Sequence, residues 1–218
     1  MEPILRNITP KDWVTIIIFV SVLFLVIAKT LFYGRFLNYL ILPFNNKYIF
    51  MYNKKDKLQN WFHVFFTIFF IINTSLFIYL ARNIFLDRSG MAYPFSYLLV
   101  LGALVLYILV KITLQLGNGF VFSTQRTITE IIFKKLSYLN YCGLIMLFAN
   151  IFLTYVWEDS KAIIYISILL ILLINIIGWV TLIRNHQKFI TSYFFYFILY
   201  LCALEIAPVI IMGNYLKG

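Results

Sequence analysis

Residues 162–183 read AIIYISILLILLINIIGWVTLI, an apolar run without one charged side chain. A run longer than about 20 residues of this kind can cross a bilayer, because a helix pairs all its backbone polar groups within itself. The stretch reads as a transmembrane helix, and it makes lipid the solvent for the whole chain. Working outward, similar runs lie at 13–32, 61–81, 94–116, 137–157 and 189–212. The sequence therefore predicts an all-α integral membrane bundle of six transmembrane helices, a single transmembrane domain over 1–218.

Composition supports that solvent. With 63% hydrophobic and 12% charged residues, the 218-residue chain carries more apolar surface than a water-soluble core could bury. Its 23 Phe, 16 Tyr and 4 Trp exceed what interface belts need, so many rings should pack between helices. The net charge of +10 comes from basic residues dispersed between apolar blocks. That pattern suits topology control and contact with anionic headgroups, and it argues against nucleic acid as a partner. The start, with Glu2, Pro3, Pro10 and Asp12 and no small-residue cleavage site after the apolar run, reads as a retained first helix. Cys142 and Cys202 fall at different depths in their helices, which argues against a disulfide.

Between the first two spans, residues 33–60 mix aromatics with Arg35, Lys47, Lys54, Lys55 and Lys57, and Pro43 interrupts them. This reads as an amphipathic interfacial segment on lipid headgroups. Gly117-Asn118-Gly119 is expected to break the third helix, and Thr127 with Glu130 matches a capping box that restarts helix ahead of the fourth span. A turn at 158–161 joins the fourth and fifth. Lys and Arg alternate unevenly between the two sides. One side holds Arg35, Lys47, Lys54, Lys55, Lys57, Arg126, Lys134, Lys135, Arg184 and Lys188, with Lys29 and Lys111 able to snorkel to it. The other holds Arg6, Lys11, Arg82, Arg88, Lys161 and Lys217. The positive-inside rule puts the richer side in the cytoplasm and both termini outside. Lys29, Lys111 and Arg184 each end an outside-to-inside helix, which leaves two readings open: three duplicated hairpins, or charge bias alone.

Few residues could carry chemistry. Glu205 is the one acid deep in a span, and an ionised carboxylate there costs about 3 kcal/mol on insertion scales. Asn73 and Asn150 lie at similar depth and are its expected neighbours, while Pro208 should free the carbonyl of Leu204 beside it. The cluster of Glu205, Asn73, Asn150 and Pro208 has two readings: a proton or cation site, or a protonated acid bridging helices, with the second preferred. Lys54, Lys55 and Lys57 with Lys134 and Lys135 are expected to form a cytoplasmic basic surface that meets headgroups. His63 and His186 could in principle meet as metal or haem ligands, but without a third ligand they read better as an interface and a loop histidine. No catalytic residues, metal ligands or cofactor site are expected, since no acid/base pair, nucleophile or phosphate loop is visible.

Two stretches together carry a resemblance: Ile4-Leu5-Arg6-Asn7-Ile8 through Asp12-Trp13, and Phe195 to Pro208, above all Tyr200-Leu201-Cys202-Ala203-Leu204-Glu205-Ile206-Ala207-Pro208. They resemble an uncharacterised Bacteroidota polytopic inner-membrane protein family, a domain of unknown function. The likeness covers nearly the whole chain in length and span layout. It implies a multi-pass protein of the inner membrane of a Gram-negative bacterium, and it transfers no catalytic residues. Short loops, sparse chemistry and polar residues sufficient for helix packing lead to the first functional expectation, a non-enzymatic membrane subunit or assembly factor of an envelope complex, with a membrane-protein partner. The alternative is a small ion-coupled transporter titrating Glu205. A membrane-embedded enzyme acting on lipid ranks below both, because no acid/base pair is visible.

Overall fold

A computed structural model describes residues 12–45, 47–52, 61–86, 94–121, 125–157 and 160–185. Every regular element among them is a helix: α1 (Asp12–Leu31), α2 (Tyr33–Leu40), α3 (Lys47–Tyr52), α4 (Trp61–Phe85), α5 (Pro94–Val121), α6 (Gln125–Ile151) and α7 (Lys161–Asn185). The chain is an all-α membrane protein, and α1, α4, α5, α6 and α7 are long and apolar enough to cross a bilayer. The sixth expected span, 189–212, lies outside the described residues.

Helix α4 is the hub. It packs against α1, α5 and α6, and 61% of its apolar stretch is buried, against 11% for α7 at the rim. The difference follows from which side chains meet. Along α4, Phe62, Phe66, Phe69, Phe70 and Phe77 all turn inward, whereas α7 shows Leu169, Leu172, Ile176 and Val180 outward. In lipid an outward leucine costs nothing, so the inner packing is decided by shape and by polar contacts.

Two glycines set the closest approaches. A Cβ on Gly143 of α6 would stand 3.1 Å from the Phe70 Cα of α4 and 3.2 Å from the Phe69 ring. One on Gly178 of α7 would stand 2.8 Å from Cγ of Tyr138. Small residues let helix backbones or rings nest in this way, which is a principal source of helix association without a hydrophobic drive.

The segment after the first span is present as α2 and α3. At Phe32 the backbone leaves helical geometry (φ −133°, ψ 47°), and α2 starts afresh. Its outer face shows Tyr33, Leu37 and Leu40, with Ile41 just beyond the helix, while Phe36 and Tyr39 are buried. Tyr39 lies edge-on to Phe66, Tyr48 and Phe62, with centroids 4.6, 5.2 and 5.6 Å away. Its hydroxyl donates to the Ser137 carbonyl of α6 at 2.8 Å. The segment thus turns Phe36 and Tyr39 into the bundle. Lys54, Lys55 and Lys57 lie outside the described residues.

Two local expectations differ from the structure. Helix α5 continues through Gly117-Asn118-Gly119 to Val121. Each glycine costs only about 1 kcal/mol of helix propensity, less than an unpaired backbone group in apolar surroundings. Helix α6 begins at Gln125, so Thr127 falls inside its first turn and is not the cap.

Candidate functional site

Sequence separation fixes how α4 and α6 meet. Thr67 pairs with Asn140 and Thr74 with Met146, so the two helices advance together and run parallel. Side chains at equal depth therefore face each other over the whole seam, and the polar ones form a column.

At one end Tyr48 Oη lies 3.1 Å from His63 Nε2, and the His63 ring stands edge-on to Phe133 at 4.4 Å. Burial holds the Tyr39 phenol well above its ordinary pKa, so it remains a neutral donor. Next along the seam, Thr67 Oγ1 donates to the His63 carbonyl at 2.8 Å and accepts from Asn140 Nδ2 at 2.9 Å. Thr74 Oγ1 then donates to Met146 Sδ at 3.0 Å. Deeper still, Asn73 Nδ2 donates to the Phe69 carbonyl at 2.9 Å, and Asn150 Nδ2 crosses from α6 to the Asn73 carbonyl at 3.0 Å. Thr154 Oγ1 closes the column on the Asn150 carbonyl at 2.7 Å, inside a π-helical turn over Phe152–Val156.

The partners determine which way each amide points. A backbone carbonyl only accepts, so Asn73 and Asn150 must present their NH2 groups to it. Thr67 has already spent its hydrogen on His63, so Asn140 must donate as well. Consequently the Oδ1 atoms of Asn73, Asn140 and Asn150 are left buried, and they accept no hydrogen bond among the described residues. All three side chains are fully buried. Three orphaned acceptors on one seam can take a water, a protonated acid or a cation.

The structure thus brings Asn73 and Asn150 together. Glu205 and Pro208, their expected companions, lie outside the described residues, as does His186. Lys134 and Lys135 lie within α6: Lys134 is buried, and Lys135 leans over Trp179 with its Nζ 4.5 Å from the ring centroid. Asn140, Thr67 and the Tyr48–His63 pair were not singled out from the sequence. Neighbouring depth on two helices of the same direction, within about one turn, was the signal for Asn140 and Thr67. Among the described residues no three His, Cys, Asp or Glu side chains gather as metal ligands. Cys142 is buried, takes a bond from Asn175 Nδ2 at 3.4 Å and donates to the Tyr138 carbonyl at 3.4 Å.

Apolar spans around an internally hydrogen-bonded polar seam define a polytopic helical membrane protein. A domain of unknown function, DUF4271, matches residues 14–216, and the chain belongs to that family. No curated protein and no solved structure matches it.

Proposed function

We propose that the chain is a non-enzymatic integral subunit or assembly factor of an envelope complex, held in the inner membrane of a Bacteroidota cell with both termini outside. The observation that carries this reading is the use made of its polar side chains. Along the α4–α6 seam they tie helix to helix, while α1, α5 and α7 turn long apolar faces outward, where a membrane-protein partner can pack. Its basic residues serve topology and anionic headgroups, with no role for nucleic acid. Affinity purification from gently solubilised native membranes should recover a second membrane protein in fixed proportion. Recovery of the chain alone in every detergent would remove the reading. For orientation, alkaline phosphatase fused after Lys217 should be active and after Lys135 inactive; the reverse pattern inverts the topology.

A second reading, a small ion-coupled transporter titrating Glu205, is favoured by the orphaned Asn73 and Asn150 oxygens, which could accept from a protonated carboxyl. Purified protein in liposomes should then show an ion flux that Glu205→Gln abolishes. Absence of any such flux eliminates it.

A further inference from the structure

Where α1 ends, the chain turns aside, and α2 runs across the bundle instead of along it. It leaves α1 at Phe32, whose ring is edge-on to Phe62 of α4 at 6.0 Å. Phe36 and Tyr39 then pass Phe66 of α4, with centroids 6.1 and 4.6 Å away. At the far end Tyr39 reaches the Ser137 carbonyl of α6, and the Tyr141 hydroxyl donates to the Leu40 carbonyl at 3.2 Å. Meeting α1, α4 and α6 in turn within eight residues makes α2 transverse. The spanning stretch of α4 starts at Trp61, so at the level of Phe66 the helix lies about 7.5 Å inside that stretch.

A transverse helix at that depth has three kinds of surroundings: the bundle beside it, water and headgroups on one side, and acyl chains on the other. Successive helical residues turn by about 100°, and on that wheel α2 with Ile41 sorts into three sectors whose centres lie about 120° apart. Phe36 and Tyr39 are buried against the bundle. Gly34, Arg35 and Asn38 share the polar sector, where Asn38 Nδ2 donates to the Gly34 carbonyl at 2.8 Å and the Arg35 guanidinium lies over the rings of Phe32 and Tyr52 at 5.7 and 5.0 Å. Tyr33, Leu37, Leu40 and Ile41 make the third sector, exposed and apolar. Beyond it, backbone bonds of 2.8 to 3.0 Å from Leu42, Phe44 and Asn45 back to Tyr39 and Ile41 hold a tight turn that leaves Phe44 91% exposed. A ring held almost wholly outside by a fixed turn suits hydrocarbon and not water. The apolar sector also continues the exposed Leu31 of the spanning helix α1. A water-soluble partner would meet the polar sector instead, so depth and direction together assign the apolar one to lipid.

We propose that Tyr33, Leu37, Leu40, Ile41 and Phe44 form a lipid-docking ridge that inserts among the acyl chains of one leaflet, below the headgroup level expected from the sequence. This inference stands apart from the functional reading above. Gly34→Cys, Leu37→Cys and Phe44→Cys, one at a time in full-length protein carrying Cys142→Ser and Cys202→Ser, are labelled with a nitroxide and reconstituted in vesicles of phosphatidylethanolamine and phosphatidylglycerol. A Cβ at Gly34 meets open space and the other two side chains are exposed, so each label has room. Oxygen dissolves in hydrocarbon, whereas a nickel chelate supplied on both faces stays in water. The ratio of oxygen to nickel collisions should be several-fold higher at Leu37→Cys and Phe44→Cys than at Gly34→Cys. Equal ratios or the reverse order overturn the ridge. Shielding of Leu37→Cys and Phe44→Cys from both probes gives the face to a second copy of the chain and overturns lipid as the occupant. Should the cysteine-free background not fold, Phe44→Trp in the parent supplies the second measurement. Its added fluorescence should be quenched by lipid brominated on the acyl chains and spared by aqueous acrylamide, and the opposite pattern contradicts the proposal. In native membranes a benzophenone side chain at Leu37 should form no discrete adduct with another protein; a cross-linked product of defined mass replaces lipid by protein and overturns the assignment.

Discussion

The two seams made by α6 use the same kinds of residue to different ends. Against α4 its neighbour runs parallel, Gly143 meets backbone, and the amides of Asn140 and Asn150 reach across to the other helix. Against α7 the neighbour runs antiparallel, Gly178 meets a ring, and Asn175 spends its NH2 on its own Ile171 carbonyl at 2.8 Å and on the thiol of Cys142. A carbonyl accepting from a buried amide contributes more than a sulfur at 3.4 Å, since sulfur is a weak acceptor. Polar content alone therefore does not tell how firmly two helices are joined. Where the amide is aimed does, and by that measure α4 and α6 form the rigid centre and α7 the adjustable rim.

The largest test of this contrast is steric. Gly143→Leu forces α6 away from the Phe70 backbone and should cost about 3 kcal/mol, the upper part of the range for overpacking. Gly178→Leu meets Tyr138 from a rim helix that can move outward, and should cost nearer to 1 kcal/mol. Thermal unfolding in detergent separates them; the reverse order would make α7 the rigid partner.

Smaller, and local to the end of the centre, is Tyr39→Phe. It keeps the ring packing and removes one donor to the Ser137 carbonyl, so stability should fall by about 1 kcal/mol. An unchanged unfolding temperature would mean that the ring contacts alone hold α2 in place.

How much of this was legible beforehand depended on what lipid hides. Hydropathy marks the spans because a charged residue cannot face hydrocarbon cheaply, and residues 162–183 needed no neighbour to be read. The inward face of α2 was not legible, because Phe36 and Tyr39 point in while Tyr33 and Leu37 point out, and all four suit a membrane. The meeting of Asn73 and Asn150 could be anticipated by counting depth on two helices of the same direction. The same count puts Thr67 and Asn140 within one helical turn of each other, near enough to have been considered together. The Tyr48–His63 contact depends on a short helix folding back, and no periodicity announces that. The run through Gly117-Asn118-Gly119 misled because glycine's turn preference was weighed as in water, where an opened backbone finds other partners.

The smallest expected effect lies at the rim. Asn175→Leu exchanges a bond to its own helix and a weak contact to sulfur for an apolar side chain, and should shift stability by under about 0.5 kcal/mol. A loss as large as that of a cross-helix amide would erase the distinction between the seams.

The central claim, that side chains of the inner column tie α4 to α6, is tested most directly by a double-mutant cycle on Thr67 and Asn140. Their bond joins an amide and a hydroxyl directly across the seam, and both side chains can be replaced by apolar ones of similar shape. Unfolding free energies of the parent, Thr67→Val, Asn140→Leu and the double variant should yield a favourable coupling of about 1 kcal/mol, within the range of interhelical hydrogen bonds in membranes. A coupling indistinguishable from zero would contradict the account, leaving van der Waals packing at Gly143 as what joins the two helices.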